Sequence, residues 1–153
     1  MELERELRAF NAFFKEMDDL HHDLAVGAGL SDSAFDIFYT LRTLGEGCLQ
    51  RDVCGCSFVS KQSVNSSIRT LERRGLLSLR PGKGRNLHIY LTPAGRQLME
   101  ERIDPVLRME VRAFSTLSAA DRAELLRLNR AYLDALRSHA GVQTFDPQEN
   151  PLL

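Results

Sequence analysis

The chain has 153 residues, of which 43% are apolar and 27% charged. That length suits one ordinary domain, or a small domain with long helical extensions, and the composition excludes a wholly disordered chain. The net charge is only −1, yet Ser57 to His88 holds seven basic residues against the single acid Glu72, a local +6 that leaves −7 elsewhere. An acidic body with one basic segment is the electrostatic footprint of a local anionic partner.

No apolar run reaches the roughly 20 residues of a membrane span. The start, Met1-Glu2-Leu3-Glu4-Arg5-Glu6, is charged and precedes no signal-type apolar stretch. The expectation is a cytoplasmic protein without membrane contact. Three cysteines, an odd number, argue against a disulfide framework.

Glu2 to about Val26 reads as one amphipathic helix. Leu3, Leu7, Phe10, Phe14, Met17, His21 and Leu24 recur at spacings of four and three, a helix-packing seam. Phe13 and Leu20 widen it, and Gly27 and Gly29 end the helix. So much aromatic surface needs a large cover, and a second copy of the chain would supply it. A second helix is predicted from about Ser33 to Leu44, capped by Ser31 or Ser33, with Ser33 and Asp36 forming an approximate capping box. Phe35, Phe38, Leu41 and Leu44 give its buried face. A short third helix, Gln50 to Cys54, ends at Gly55.

The fourth helix runs from the N-cap Ser60 to Arg74, with Gly75 closing it. Val64, Ile68 and Leu71 bury one face. Lys61, Asn65 and Arg69 share another, with Gln62 and Ser66 beside them. A merely solvated face mixes Glu with Lys, whereas here acids are absent until Glu72. Leu76 to Leu79 is a strand candidate. Arg80 to Asn86 is a basic turn with Pro81, Gly82 and Gly84. Leu87 to Leu91 alternates as the return strand. Thr92-Pro93 caps a helix that reaches about Leu117, with a kink expected at Pro105. Ser118 and Asp121 start a last helix, to about His139, on Leu125, Leu128, Tyr132 and Leu136.

Helix, helix, strand, basic turn and strand make a winged helix-turn-helix. A recognition helix needs a slim, donor-rich face to enter a major groove about 12 Å wide, and an apolar face to anchor it. The hairpin then sets Lys and Arg against the backbone or into the minor groove. The fold class expected is mainly α with a small β-hairpin. It comprises a winged helix-turn-helix DNA-binding domain (30–92), an N-terminal dimerisation helix (1–29), C-terminal dimerisation helices (93–140) and a tail (141–153).

The sequence resembles the multiple-antibiotic-resistance regulator (MarR) family of transcription factors. The resemblance rests on Ser60-Lys61-Gln62-Ser63-Val64-Asn65, on Leu71-Glu72-Arg73-Arg74-Gly75-Leu76-Leu77, and on Arg85 through Leu91-Thr92-Pro93-Ala94-Gly95. It implies a homodimer on a pseudopalindromic double-stranded operator, acting as a repressor or, less often, an activator under control of a small-molecule effector. The wing departs from the family pattern: Arg85 matches its arginine, but Lys83 stands where an aspartate is common.

The DNA contacts expected are Ser60, Lys61, Gln62, Ser63, Asn65, Ser66, Arg69, Arg73, Lys83, Arg85 and Asn86. The dimer contacts expected are Leu3, Leu7, Phe10, Phe14, Leu128, Tyr132 and Leu136. Phe10, Phe14, Phe35 and Phe38 would flank a pocket for an aromatic or lipophilic ligand. Cys48, Cys54 and Cys56 read as packing residues, with a thiol- or metal-responsive regulator as the alternative. His21 and His22, near Asp18, Asp19 and Asp23, form only a loose cluster, and His21 on the seam reads as a dimer-interface residue. No metal site, no cofactor and no enzyme motif is expected. A winged helix used for protein–protein assembly remains the reading from another class.

Overall fold

The computed structural model describes residues 1–56, 60–82 and 86–141. Helix α1 (Glu2–Gly27) is unbroken. The chain leaves it by a tight reversal in which Leu30 N–H donates to Ala25 O at 3.0 Å and Gly29 takes φ +69°. Arg102 seals that reversal from the far end of the chain, donating from Nη1 to Ala28 O at 2.8 Å.

Helix α2 (Asp32–Leu44) is capped by Ser31, whose Oγ accepts from Ala34 N–H. Ser33 instead bonds across to Ser67. The expected Ser33–Asp36 box does not form. With Asp32 as the first helical residue, Asp36 lies a turn too deep to reach back to the cap. It is buried, 4% exposed, and faces α1. Helix α3 (Gln50–Cys56) runs through Gly55 rather than stopping there. Asp52 closes its start by accepting from Leu49 N–H at 2.6 Å, and the buried Val53 holds it to the core.

Helix α4 (Lys61–Arg73) begins at the Ser60 cap and ends at Arg74, with Gly75 at φ +71°. Strands β1 (Leu77–Pro81) and β2 (Leu87–Leu91) pair antiparallel, Leu77 opposite Leu91 and Pro81 opposite Leu87. Arg80 and Pro81, expected in the turn, belong to β1. Pro81 is tolerated because, among the described residues, β1 pairs with β2 alone, so one edge needs no ladder donor. The other edge of β2 takes the loop before α3. Gly47 N–H donates to Ile89 O, Ile89 N–H donates to Cys48 O, and Leu49 bridges to His88.

Thr92 then caps α5 (Pro93–Leu98), and a π-helical turn (Met99–Ile103) leads into α6 (Asp104–Ser115). Pro105 was expected to kink one long helix. The chain widens ahead of it instead, Asp104 N–H reaching Met99 O five residues back. A proline lacks its own N–H and crowds the carbonyl four residues earlier; a π turn relieves that conflict. It also rotates Met99 and Ile103 into the core beneath α2. Helix α7 (Ala119–Ala140) starts at Ser118, whose Oγ accepts from Asp121 N–H and donates to the Asp121 carboxylate.

The core lies in the winged part, around Phe35, Ile37, Phe38, Leu41, Val53, Val64, Ile68, Leu71 and Ile89. By contrast, α6 and α7 bury no residue and α1 buries only Ala25. No helix among the described residues is long and apolar enough to cross a membrane.

Candidate nucleic-acid interface

Helix α4 has two faces with opposite tasks. Val64, Ile68 and Leu71 are at most 1% exposed and clamp it to α2 and α3. Lys61, Gln62, Ser63, Ser66, Arg69 and Arg73 are exposed. No acid occupies its first turn, so the positive end of the helix dipole and Lys61 reinforce each other. Ser60 is committed to the cap: its Oγ accepts from Ser63 N–H at 3.2 Å and contacts Ser63 Oγ at 3.0 Å. Arg73 donates to Thr70 Oγ1 one turn back. Ser66, Arg69, Thr70, Glu72 and Arg73 line a depression along the outer side of the helix.

Asn65 is placed differently from its neighbours. It is half-buried, and Gln50, the first residue of α3, donates from its amide to Asn65 Oδ1. Sequence periodicity groups Asn65 with Lys61 and Arg69 but carries no sign of Gln50, because that contact depends on how α3 crosses α4.

In the hairpin, the Arg80 guanidinium lies 4.4 Å from the Tyr90 ring centroid, a cation–π contact that holds it over the sheet. The basic count of the segment includes Arg80, but its position on a strand emerges only from the pairing register. Asn86 is exposed just before β2. Lys83 and Arg85, expected at the wing tip, lie outside the described residues.

The junction after the wing explains the Leu-Thr-x-x-Gly pattern. Thr92 Oγ1 accepts from Gly95 N–H at 3.1 Å and donates to Gly75 O at 2.6 Å, while Thr92 N–H donates to Leu76 O. One threonine thus joins the end of α4, the wing and α5. Gly95 packs directly on the Leu76 carbonyl, where any Cβ would sit at 2.0 Å from the oxygen.

Other expected residues fall as follows. Leu3, Leu7, Phe14, Leu128, Tyr132 and Leu136 are exposed in this chain. Phe10 is half-buried and meets Phe14 and Tyr132 edge to face, at 4.8 and 5.0 Å, so the first and last helices come together there. The four phenylalanines expected around a ligand separate into two groups. Phe10 and Phe14 lie on the open stripe, whereas Phe35 and Phe38 are 1% and 0% exposed inside the core. His21, expected at the dimer seam, packs against α2 in its own chain. Its Nε2 lies 3.2 Å from Asp36 Oδ1, and its ring meets Phe35 edge to face. The buried Asp36 is what the sequence reading missed, having treated it as a cap residue.

Cys48 and Cys54 are half-buried against the core. Burial pushes the Cys54 thiol above its ordinary range, against a smaller downward pull from Lys61. The side chain of Cys56 lies outside the described ones.

The arrangement resembles known proteins along most of its length. It is similar to NMB1585, a MarR family regulator from Neisseria meningitidis, at 18% identity and a TM-score of 0.79, covering 89% of this chain and 96% of that one. It is similar to BpsR of Bordetella bronchiseptica, whose DNA binding is regulated by 6-hydroxynicotinic acid, at 23% identity and a TM-score of 0.61, covering 81% and 98%. The DNA-bound MepR of S. aureus gives 21% identity and a TM-score of 0.63, covering 84% and 96%. No curated protein matches the sequence. Residues 28–85, which carry α2 to the wing, match the model of the MarR family. That match spans the winged segment, and the winged-helix fold that carries it is similar to that of MarR family regulators.

Proposed function

We propose that the protein is a homodimeric, cytoplasmic repressor that binds a pseudopalindromic operator and releases it on binding a small molecule. The observation that carries the DNA-reading part is the division of α4. Its apolar face is locked into the core, and its outward face presents Lys61, Gln62 and Arg69 with no acid in the first turn. Arg suits guanine edges, amides suit adenine, and Lys suits phosphate. Ser66 and Arg73 lie on the same exposed side, and Asn86, Lys83 and Arg85 are assigned to the wing. Ser60 and Ser63 serve the cap and contact phosphate only secondarily.

The homodimer is supported by apolar surface left open on the helical body. Leu7, Phe14, Met17, Leu20, Leu128 and Leu136 are all 44% exposed or more. An apolar patch of that kind on one chain marks an association surface. Residues 1–29 and 93–140 form the dimer body in this reading, and 30–92 the DNA-binding unit. Control by a small molecule is supported by relatives such as BpsR and by PcaV of Streptomyces coelicolor, solved with its natural ligand. Phe10 and Phe14 are the ring surface open to such a ligand; Phe35 and Phe38 would join only if α1 moved off α2. Thiol sensing through Cys54 is the weaker mechanism, because burial favours its neutral form and leaves little reactive thiolate near neutral pH.

The test is binding to the DNA upstream of its own gene, against scrambled DNA of equal length, over a range of salt. Specific binding should exceed the scrambled control by about 10³-fold or more, with a steep negative salt slope. Lys61→Ala and Arg69→Ala should each weaken it by roughly 5- to 150-fold and leave the dimer intact. Wild-type affinity in both variants would show that α4 is not the reading helix.

A further inference from the structure

We infer that Gln50 is a positioning residue for sequence readout, and that it presets the Asn65 amide to recognise one adenine in each half-site. The inference rests on the DNA-reading assignment of α4. It starts from the side-chain hydrogen bond that links α3 to the polar side of α4, the Gln50 amide donating to Asn65 Oδ1.

An unrestrained asparagine amide can present its oxygen and nitrogen in either order. Adenine distinguishes the two orders. Its major-groove edge offers an N6–H donor beside the N7 acceptor, so the amide oxygen must lie against N6 and the amide nitrogen against N7. Reversed, the amide sets donor against donor and acceptor against acceptor. A bridge to Gln50 removes that ambiguity before DNA arrives. The bridge uses one lone pair of Oδ1. The second lone pair and both N–H groups of Nδ2 stay available, which is what bidentate pairing needs.

The surroundings suit a fixed rather than an adaptable contact. Gln50 and Asn65 are both half-buried, unlike Lys61, Gln62 and Arg69, which are exposed. Gln50 opens α3, whose Val53 is fully buried, and Asn65 follows the fully buried Val64. Both amides therefore hang from backbone that the core immobilises. Ordering them beforehand lowers the entropy lost when the base is bound. Gln62 is exposed, and no bond between its side chain and another residue is found among the described ones. It is the adaptable amide of the helix, and Asn65 is the preset one.

The experiment selects binding sites from randomised DNA with the full-length protein, then measures affinity for the selected site and for its single-base substitutions. Wild type should prefer adenine at one position per half-site by about 5- to 150-fold. Asn65→Ala should remove that preference and keep the others. Gln50→Leu should reduce the same preference, with no change in salt slope, because Gln50 touches no phosphate in this account. The double variant should match Asn65→Ala alone. Gln50→Glu provides a second route. An ionised carboxylate can only accept, so it turns the Asn65 amide over and should erase the adenine preference, whatever its general effect on affinity. Circular dichroism and dimer content should be those of wild type in each variant.

An undiminished preference in both Gln50→Leu and Gln50→Glu would overturn the inference while leaving the DNA-reading helix intact. So would effects of Gln50→Leu and Asn65→Ala that simply add. A wild-type protein that selects no sequence at all would overturn the DNA-reading assignment and this inference together.

Discussion

Replacing Gly95 with alanine should destabilise the protein even though the site is helical and alanine is the better helix former. An ideal Cβ at Gly95 lies 2.0 Å from Leu76 O, 3.1 Å from Leu76 C and 3.3 Å from Leu91 Cδ2. Carbon and oxygen normally approach to about 3.3 Å, so the overlap exceeds 1 Å. The obstructing atom is a backbone carbonyl, and no rotamer change moves it away. Leu76 O also accepts from Thr92 N–H, so pushing it aside weakens that bond at about 0.5–1.5 kcal/mol. Overpacking of this kind costs about 1–3 kcal/mol. Alanine returns about 1 kcal/mol through helix propensity. The net loss expected is about 1–3 kcal/mol, or roughly 2–12 °C in Tm for a chain of this size. Urea unfolding and thermal melts at one fixed protein concentration measure it, since the proposed dimerisation would make both concentration-dependent. Gly27→Ala is the internal control. Nothing lies within 4 Å of its Cβ position, so it should gain about 0.4–1 kcal/mol. Equal or greater stability for Gly95→Ala would refute the close-approach account of the Leu-Thr-x-x-Gly junction.

Three further outcomes are expected. His21→Ala removes a contact to the buried Asp36 and an edge-to-face contact to Phe35, and should cost about 1–3 kcal/mol by urea unfolding. Its dimer dissociation constant should not change; a weakened dimer with unaltered protomer stability would restore the interface reading of His21. Cys54 should react slowly with iodoacetamide near pH 7 and faster only as pH rises past the ordinary thiol value of about 8.5, because burial favours its neutral form. Alkylation that is already pH-independent at pH 7 would contradict this. Tyr39 donates to Glu110 Oε2 at 2.6 Å, and burial followed by that bond holds its phenol above its ordinary range. A group raised in the folded state contributes stability below its unfolded pKa, about 10, and loses it as pH climbs toward the folded value. Melting of wild type should therefore fall more steeply above pH 10 than that of Tyr39→Phe, and parallel curves would dismiss the effect.

Beside the buried apolar packing of Ala25, Met99 and Ile103, polar contacts tie α1 and the C-terminal helices to α2 and to the reversal before it. Arg102 holds the α1 reversal, His21 meets Asp36, and Tyr39 meets Glu110. Each links α1 or the C-terminal helices to the loop or helix that begins the DNA-binding unit.

Local signals sufficed for much of this molecule. Helix α4 was legible because its cap, its four-residue apolar spacing and its closing glycine are all determined by neighbours within a turn. Strand β2 was legible by alternation, and Thr92-Pro93 announced α5 by capping chemistry alone. The basic stretch around α4 was visible because charge needs only counting. What remained hidden depends on residues far apart in the chain meeting in space. Asp36 looks like a cap residue until α1 lays His21 against it. Asn65 looks like a free surface amide until α3 brings Gln50 to it. Gly95 looks like a poor helix residue until the wing places the Leu76 carbonyl 2.0 Å from its would-be Cβ. Pro105 predicted a kink, and only the core beneath α2 determined that the helix should widen into a π turn and bury Met99 and Ile103. Periodicity specifies which face of an element is apolar; only packing specifies which atoms that face will meet.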